Sequence, residues 1–227
     1  MSVDLARTPA AARRGAPLLP VPQVPRLLVY LVGFVPAAWW FELGLTDRLG
    51  ADPMRALEHA LGLWALRFLL ASLAVTPLRQ IAGINLIRYR RALGLLAFYY
   101  AALHLLTYLV LDQGLDLESI VADIVKRLYI TIGMLCFIVL VPLAVTSNNA
   151  AVRRLGAAAW TKLQRIVYVT PILAVLHFIL SVKVWPIEPL SYALIATILL
   201  GYRLIRSLMR KPRAAGTAPR KAGRAGS

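Results

Sequence analysis

The stretch LGLLAFYYAALHLLTYLVL, residues 93–111, is long and apolar enough to cross a membrane as a helix, yet it carries an imidazole, His104. Residues 166–183 repeat this pattern around His177. Each histidine lies about 16 Å along its helix. Two imidazoles at matching depth on helices that run in the same direction predict the two axial ligands of one b-type haem iron.

The small residues beside the two histidines favour this interpretation. An alanine precedes each histidine by three residues, Ala101 in one stretch and Ala174 in the other. In a helix, residues three apart share a face, so each alanine leaves flat space beside an imidazole where a porphyrin can lie. The alternative is that each histidine only hydrogen-bonds a neighbouring helix, although a histidine in hydrocarbon indicates a functional site by default.

The composition places these stretches in a membrane protein. Hydrophobic residues make up 59% of the 227 residues and the mean hydropathy is +0.69, which is too apolar for an ordinary soluble domain. A membrane span needs about 20 apolar residues, and the stretches that qualify are residues 27–46, 57–77, 93–111, 128–146, 166–183 and 189–207. The sequence therefore predicts an all-α protein, a six-transmembrane-helix bundle over residues 27–207 with short connections. Residues 1–26 and 208–227 are expected to be disordered cytoplasmic segments.

Charged residues alternate between the two ends of the predicted spans. The basic clusters are Arg7, Arg13, Arg14 and Arg26; Arg79, Arg88, Arg90 and Arg91; Arg153, Arg154, Lys162 and Arg165; and the C-terminal residues from Arg203 to Arg224. The acidic residues at the opposite ends are Asp47, Asp52, Glu58, Asp112, Asp116, Glu118, Asp123 and Glu188. This positive-inside pattern predicts that both termini are cytoplasmic. It explains the net charge of +16 without nucleic acid, and the basic tail is suited to anionic membrane lipid.

The second span carries two further candidate residues for cofactor binding. His59 lies near its outer end, where it could bind a haem propionate, a quinone or a partner, or cap an interfacial helix. Arg67 lies eight residues further on, near the middle of the span. A buried arginine in lipid needs an anionic or strongly polar partner, and a haem propionate or a quinone oxygen would serve.

Short motifs follow one another in a fixed order along residues 27–207. They are Gly50-Ala51-Asp52-Pro53 followed by His59, Trp64-Ala65-Leu66-Arg67-Phe68-Leu69, Thr76-Pro77-Leu78-Arg79, Arg90-Arg91-Ala92-Leu93-Gly94-Leu95, Leu103-His104-Leu105, Tyr129-Ile130-Thr131-Ile132-Gly133, Thr146-Ser147 and Ser181-Val182-Lys183. In this order they resemble the MsrQ (YedZ) family, the haem-binding membrane subunits of the periplasmic protein-methionine-sulfoxide reductase, within the ferric-reductase-like transmembrane superfamily.

The resemblance implies an electron-transfer subunit of an oxidoreductase in the bacterial inner membrane, distinct from the catalytic subunit. Such a subunit takes electrons from the quinol pool. It passes them through haem b to a periplasmic molybdopterin subunit, MsrP, which repairs oxidised methionine in periplasmic proteins. The resemblance carries over His104 and His177 as axial ligands of the haem iron and matches His59 to a family histidine. It also associates the chain with FMN, for which the sequence shows no local motif.

The chain departs from the family pattern at the cytoplasmic start of the fifth span. Family members usually have a histidine where this chain has Gln164, 13 residues before His177; Arg91 lies 13 residues before His104. Arginine stays charged and is a poor ligand for iron, and the glutamine amide binds iron weakly. We therefore expect one tightly bound haem b. Arg91 and Gln164 would then face a quinone head group, a flavin phosphate or a haem propionate, unless Arg90 and Arg91 only mark the membrane boundary.

Two other functions remain open at the level of sequence. One is a ferric or quinone reductase-type haem protein that acts with a different partner. The other is a haem-free transporter or assembly scaffold, which is disfavoured because the spans show no pair of broken helices related by an inverted repeat.

Overall fold

The computed structural model of the chain describes residues 23–182 and 186–209. The predicted terminal segments, residues 1–26 and 208–227, lie mostly outside these residues. Within them the secondary structure is helical and without strands. The α-helices in chain order are α1 (Arg26–Leu45), α2 (Pro53–Ile81), α3 (Arg90–Leu106), α4 (Leu117–Lys126), α5 (Leu128–Val145), α6 (Asn149–Leu155), α7 (Ala157–Gln164), α8 (Thr170–Ser181) and α9 (Ile187–Leu208).

Six of the helical segments in the described part of the chain are long and apolar enough to cross a membrane, which confirms the predicted architecture. Two of them are composite. The third span joins a 3₁₀ turn, α3 and a π-helix, Thr107–Asp112, into one segment from Ile87 to Asp112. The fifth joins α7 to α8 through the 3₁₀ turn Arg165–Tyr168. The histidines of both composite spans lie in their α-helical parts.

The structure differs from the sequence prediction at the ends of the spans. Helix α2 begins at Pro53, four residues before the predicted start, because the Asp52 carboxylate caps the helix by accepting from the Arg55 amide at 3.2 Å. Proline at the first helical position suits this cap. The predicted connection between the third and fourth spans contains α4, which Asp116 caps in the same way. The apolar residues of α4 recur at helical spacing between charged ones, which favours a short amphipathic helix. This helix is not one of the six spans.

Helix α1 packs on α3 through a proline-adjacent hydrogen bond network. The fully buried Tyr100 hydroxyl accepts from the Ala37 amide at 2.9 Å and donates to the Gly33 carbonyl at 2.7 Å. Pro36 lies between these two groups and removes one amide from the α1 ladder. A Cβ at Gly33 would lie 2.5 Å from the Leu96 Cδ1 atom, so a larger residue there would require the buried Leu96 side chain to move. The contact anchors α3 one turn before His104.

The interior is organised around two helix pairs, α2 with α3 and α5 with α8, which make the most extensive contacts in the bundle. Buried Leu61 and Leu96 fill the first interface. Phe178 of α8 packs with Leu66 and Leu70 of α2 in a second cluster, which brings the two pairs together. Each pair contributes one of the two intramembrane histidines.

Candidate functional site

A cavity of about 610 Å³ opens where α2, α3, α5 and α8 meet. This volume is within the usual range for sites that hold organic ligands and cofactors. Its walls are mainly apolar and include both alanines predicted to flank a porphyrin, Ala101 and Ala174. The cavity lies at the end of the bundle marked by Asp52 and Asp112, which we call the acidic end.

The structure brings His104 and His177 together inside this cavity. Their ring centroids are 6.0 Å apart and the ring planes are inclined by 76°. Metal–imidazole bonds of about 2 Å, with each ring centre about 1 Å further out, place two ring centres about 6 Å apart. The two rings therefore have the separation that one shared metal ion requires, which fits the predicted haem.

Hydrogen bonds determine which nitrogen of each ring is free. His104 Nδ1 lies 2.9 Å from the Glu58 carbonyl oxygen, and His177 Nδ1 lies 2.6 Å from the Tyr129 carbonyl oxygen. A carbonyl can only accept, so each Nδ1 carries the proton and donates it. The lone pair of each neutral ring is then on Nε2, the arrangement in which histidine binds metals.

His59 also lines the cavity, at its acidic end, where its ring contacts Phe178 with centroids 5.6 Å apart. Its Nε2 lies 3.8 Å from a carboxylate oxygen of Glu188, at the start of α9. The other oxygen of Glu188 lies 3.8 Å from an Arg67 guanidinium nitrogen. Glu188 therefore links the two polar residues that the sequence singled out on α2.

Arg67 is held by the protein and is not among the residues that line the cavity. Its Nε donates to the Tyr192 hydroxyl at 2.7 Å, and its guanidinium lies 5.0 Å from the Trp64 ring centroid. The strongly polar partner expected for Arg67 is thus supplied, in this structure, by Tyr192 and Glu188 of α9.

A second cavity of about 450 Å³ lies toward the opposite end of the bundle, which we call the basic end because Arg90, Arg91 and Arg165 line it. The structure brings Arg91 and Gln164 to its wall, as the residues predicted for an inner site. Arg91 donates to the Asn149 side chain at 3.0 Å. The Gln164 amide nitrogen donates to the Leu143 carbonyl oxygen and to the Thr146 hydroxyl, both at 3.1 Å. The Gln164 amide oxygen is then available as an acceptor.

The two cavities meet in the middle of the bundle. Leu69 and Leu140 line both of them. Phe137 at the first cavity stacks on Phe98 at the second, with ring centroids 5.6 Å apart and planes inclined by 15°. An apolar partition of a few side chains therefore separates the two sites.

The surface around the acidic end carries carboxylates with different roles. The Ser119 hydroxyl and the Glu118 amide donate to the Asp116 carboxylate at 2.8 and 3.1 Å, which lowers the pKa of Asp116. The Asp123 carboxylate pairs with Arg127 at 3.1 Å and accepts a hydrogen bond from the Tyr108 hydroxyl at 3.4 Å. Asp116 and Asp123 therefore both stabilise local structure.

Sequence reasoning missed several residues that build the site. Glu58 was assigned only to topology, yet it supplies the His104 acceptor. Its carboxyl atom Oε1 is buried without a hydrogen-bond partner in the described part of the chain, and its side chain lines the cavity. Gly62 and Gly133 lie against the two histidine rings. The repeated order of glycine and then histidine 42 and 44 residues later was the signal available in the sequence.

The fold and this site define a six-span helical membrane protein that holds two histidines in one cavity. Residues 60–175 match the family described as ferric reductase like transmembrane component, and the chain belongs to it. More particularly, it belongs to the MsrQ family. It is 54% identical over 200 residues to proteins of Brucella ovis, Brucella canis and Brucella suis named protein-methionine-sulfoxide reductase heme-binding subunit MsrQ, covering 86% of this chain and 90% of each relative. The predicted family is confirmed. No solved structure matches the chain.

Proposed function

We propose that the chain is the haem-binding membrane subunit of a methionine-sulfoxide reductase system and that it passes electrons across the inner membrane. The observation that carries the proposal is the pair of imidazoles in one cavity, 6.0 Å apart, each with Nδ1 bound to a main-chain carbonyl. The names of the Brucella relatives, which are haem-binding subunits of this system, support it.

His104 and His177 would hold the iron of one haem b through their Nε2 atoms. The haem supplies one-electron transfer between donor and acceptor. The protein residues orient both imidazoles, line the cavity with apolar side chains and restrict water. His59, which lines the same cavity, is proposed to contact the polar edge of the cofactor, and Arg67 is proposed to hold that edge of the site through Glu188.

The proposed direction of transfer follows from the charge pattern. With both termini in the cytoplasm, the basic end faces inward and the acidic end faces the periplasm. Electrons enter at the basic end from quinol and leave at the acidic end to a periplasmic molybdopterin subunit, MsrP. The catalytic reduction of methionine sulfoxide takes place on that partner.

The second cavity is the proposed inner site. Arg91 and Gln164 offer positive charge and hydrogen bonds there but no strong iron ligand, so we propose one haem per chain. A quinone head group is the proposed occupant, because the proposed electron donor is quinol. A flavin phosphate from FMN or a haem propionate would contact the same positively charged residues. If Arg91 only marks the membrane boundary, we expect no ligand in the second cavity.

Spectroscopy of the purified full chain tests the main proposal. We expect a Soret band and a low-spin signal from two histidines, lost in His104→Ala and in His177→Ala. His59→Ala is the matched control, because it removes a histidine from the same cavity, and it should keep most of that spectrum. Haem retained in both ligand variants, or lost in the control alone, would reject the assignment.

The electron path needs a separate experiment. A quinol analogue should reduce the haem of the purified chain, and MsrP should reoxidise it with methionine sulfoxide present. A reduced haem that is reoxidised by ferric iron and not by MsrP would instead indicate a ferric reductase. A chain without any haem would indicate a transporter or a scaffold.

A further inference from the structure

Each candidate iron ligand rests against a glycine of a neighbouring helix. A Cβ built on Gly62 of α2 would lie 3.3 Å from His104 Nδ1. A Cβ built on Gly133 of α5 would lie 2.8 Å from His177 Nδ1 and 2.9 Å from its Cε1. Neither glycine has a positive φ, so the backbone conformation does not require glycine at either position. Space for the imidazole is then a physical reason for glycine at both positions.

The two contacts have the same register. The carbonyl that accepts from His104 belongs to Glu58, four residues before Gly62, and the carbonyl that accepts from His177 belongs to Tyr129, four residues before Gly133. In an α-helix these positions lie one above the other on the same face. Each imidazole therefore docks on a single helical turn, with its edge against the glycine and its Nδ1 proton on the carbonyl.

We propose that Gly62 and Gly133 are positioning residues for the haem ligands. The missing side chains let each imidazole come close enough to hydrogen-bond a main-chain carbonyl, and this bond fixes the tautomer and orientation of the ring. The inference rests on the proposed haem function. Groups that orient a metal-binding histidine in this way influence both affinity and electronic properties of the metal site.

The two glycines differ in how tightly they hold their rings. A contact of 3.3 Å at Gly62 needs His104 to move by a few tenths of an ångström, and its hydrogen bond of 2.9 Å has room to lengthen. A contact of 2.8 Å at Gly133 requires His177, a rigid ring with a 2.6 Å hydrogen bond, to leave its place. Alanine should therefore be tolerated at Gly62 and should displace the ligand at Gly133.

Alanine variants of the full chain test the inference, with Gly201→Ala as the matched control. Gly201 lies inside α9 and a Cβ there meets no atom within 4 Å. We expect Gly133→Ala to bind haem roughly 10- to 100-fold more weakly. Gly62→Ala should keep its haem with shifted low-spin g values and a shifted midpoint potential, and Gly201→Ala should match the parent. Parental haem content, g values and potential in Gly133→Ala would overturn the inference.

A double variant separates ring displacement from general misfolding and does not depend on haem. In the haem-free chain, Gly133→Ala should lower the thermal midpoint. In the background of His177→Ala the same change should have no such effect, because the ring that meets the new methyl group is gone. An equal loss in both backgrounds would show that Gly133 serves only helix packing and would overturn the inference.

The failure of the proposed function gives a different pattern. A parent chain that binds no haem would reject the haem function, and ligand variants that keep their haem would reject the ligand assignment. The haem-free cycle still reports whether the ring rests on the glycine in both cases. If the parent binds haem but Gly133→Ala lowers the thermal midpoint equally with and without His177, the glycine role is rejected and the haem function stands.

Discussion

Replacing Tyr100 by phenylalanine removes one oxygen atom that joins α1 to the helix carrying His104. The hydroxyl makes two buried hydrogen bonds, to the Gly33 carbonyl and the Ala37 amide. Hydrogen bonds between membrane helices contribute on average about 0.6 kcal/mol each. Leaving a buried polar group unpaired costs about 1–3 kcal/mol, but the two groups are four residues apart in α1 and can pair with each other. Tyr100→Phe should therefore destabilise the chain by about 1–2 kcal/mol.

Equilibrium unfolding of the solubilised chain, followed by helicity, measures this change. Tyr99→Phe is the matched control: it removes the same atom from the next residue, whose side chain is exposed and has no comparable pair of buried bonds. Because Tyr100 makes no proposed contact with the iron, the haem spectrum should be the same in both variants. Equal stability of the two variants would refute the role given to the Tyr100 hydroxyl at the α1–α3 contact.

Three further predictions concern function. Neutralising Asp112 and Glu118, which are exposed and have neither the helix-capping role of Asp116 nor the ion pair of Asp123, should slow association with MsrP at low salt and have little effect at high salt; an unchanged rate at low salt would make them topology charges. Gln164→His should raise haem from about one per chain toward two, measured as haem against protein, and a ratio already near two in the parent would contradict the single-haem proposal. Reporter fusions after Arg91 and at the C-terminus should both report cytoplasm, and a periplasmic signal from either would overturn the proposed orientation.

The sequence predicted the features that depend on local composition. The six spans follow from runs of apolar residues, and the paired depth of His104 and His177 follows from helix rise alone. The structure brings both rings to one cavity, as that reasoning anticipated. Arg91 and Gln164 likewise reach one cavity, because each lies about the same distance from a histidine at matching depth.

The features that the sequence did not reveal depend on contacts between distant segments. Glu188 was interpreted as a boundary charge, yet it lies beside His59 and Arg67, more than 100 residues away in the chain. The order of Gly62 before His104 and of Gly133 before His177 does not by itself identify a site, since a glycine in a membrane helix can serve packing alone. Helix α4 was missed because its ten residues are shorter than a span and its charges suggested a loop.

The partners of His104 and His177 are main-chain carbonyls, and this has a consequence for mutational scanning and for divergence among relatives. Any residue introduced at Glu58 or Tyr129 brings the same carbonyl oxygen, so the hydrogen bonds survive every substitution that leaves the helix intact. A saturation library at these two positions should therefore report only what the side chains do. The orientation of the two imidazoles depends on Gly62 and Gly133, one helical turn further along each helix. Only a library that changes these glycines would detect it.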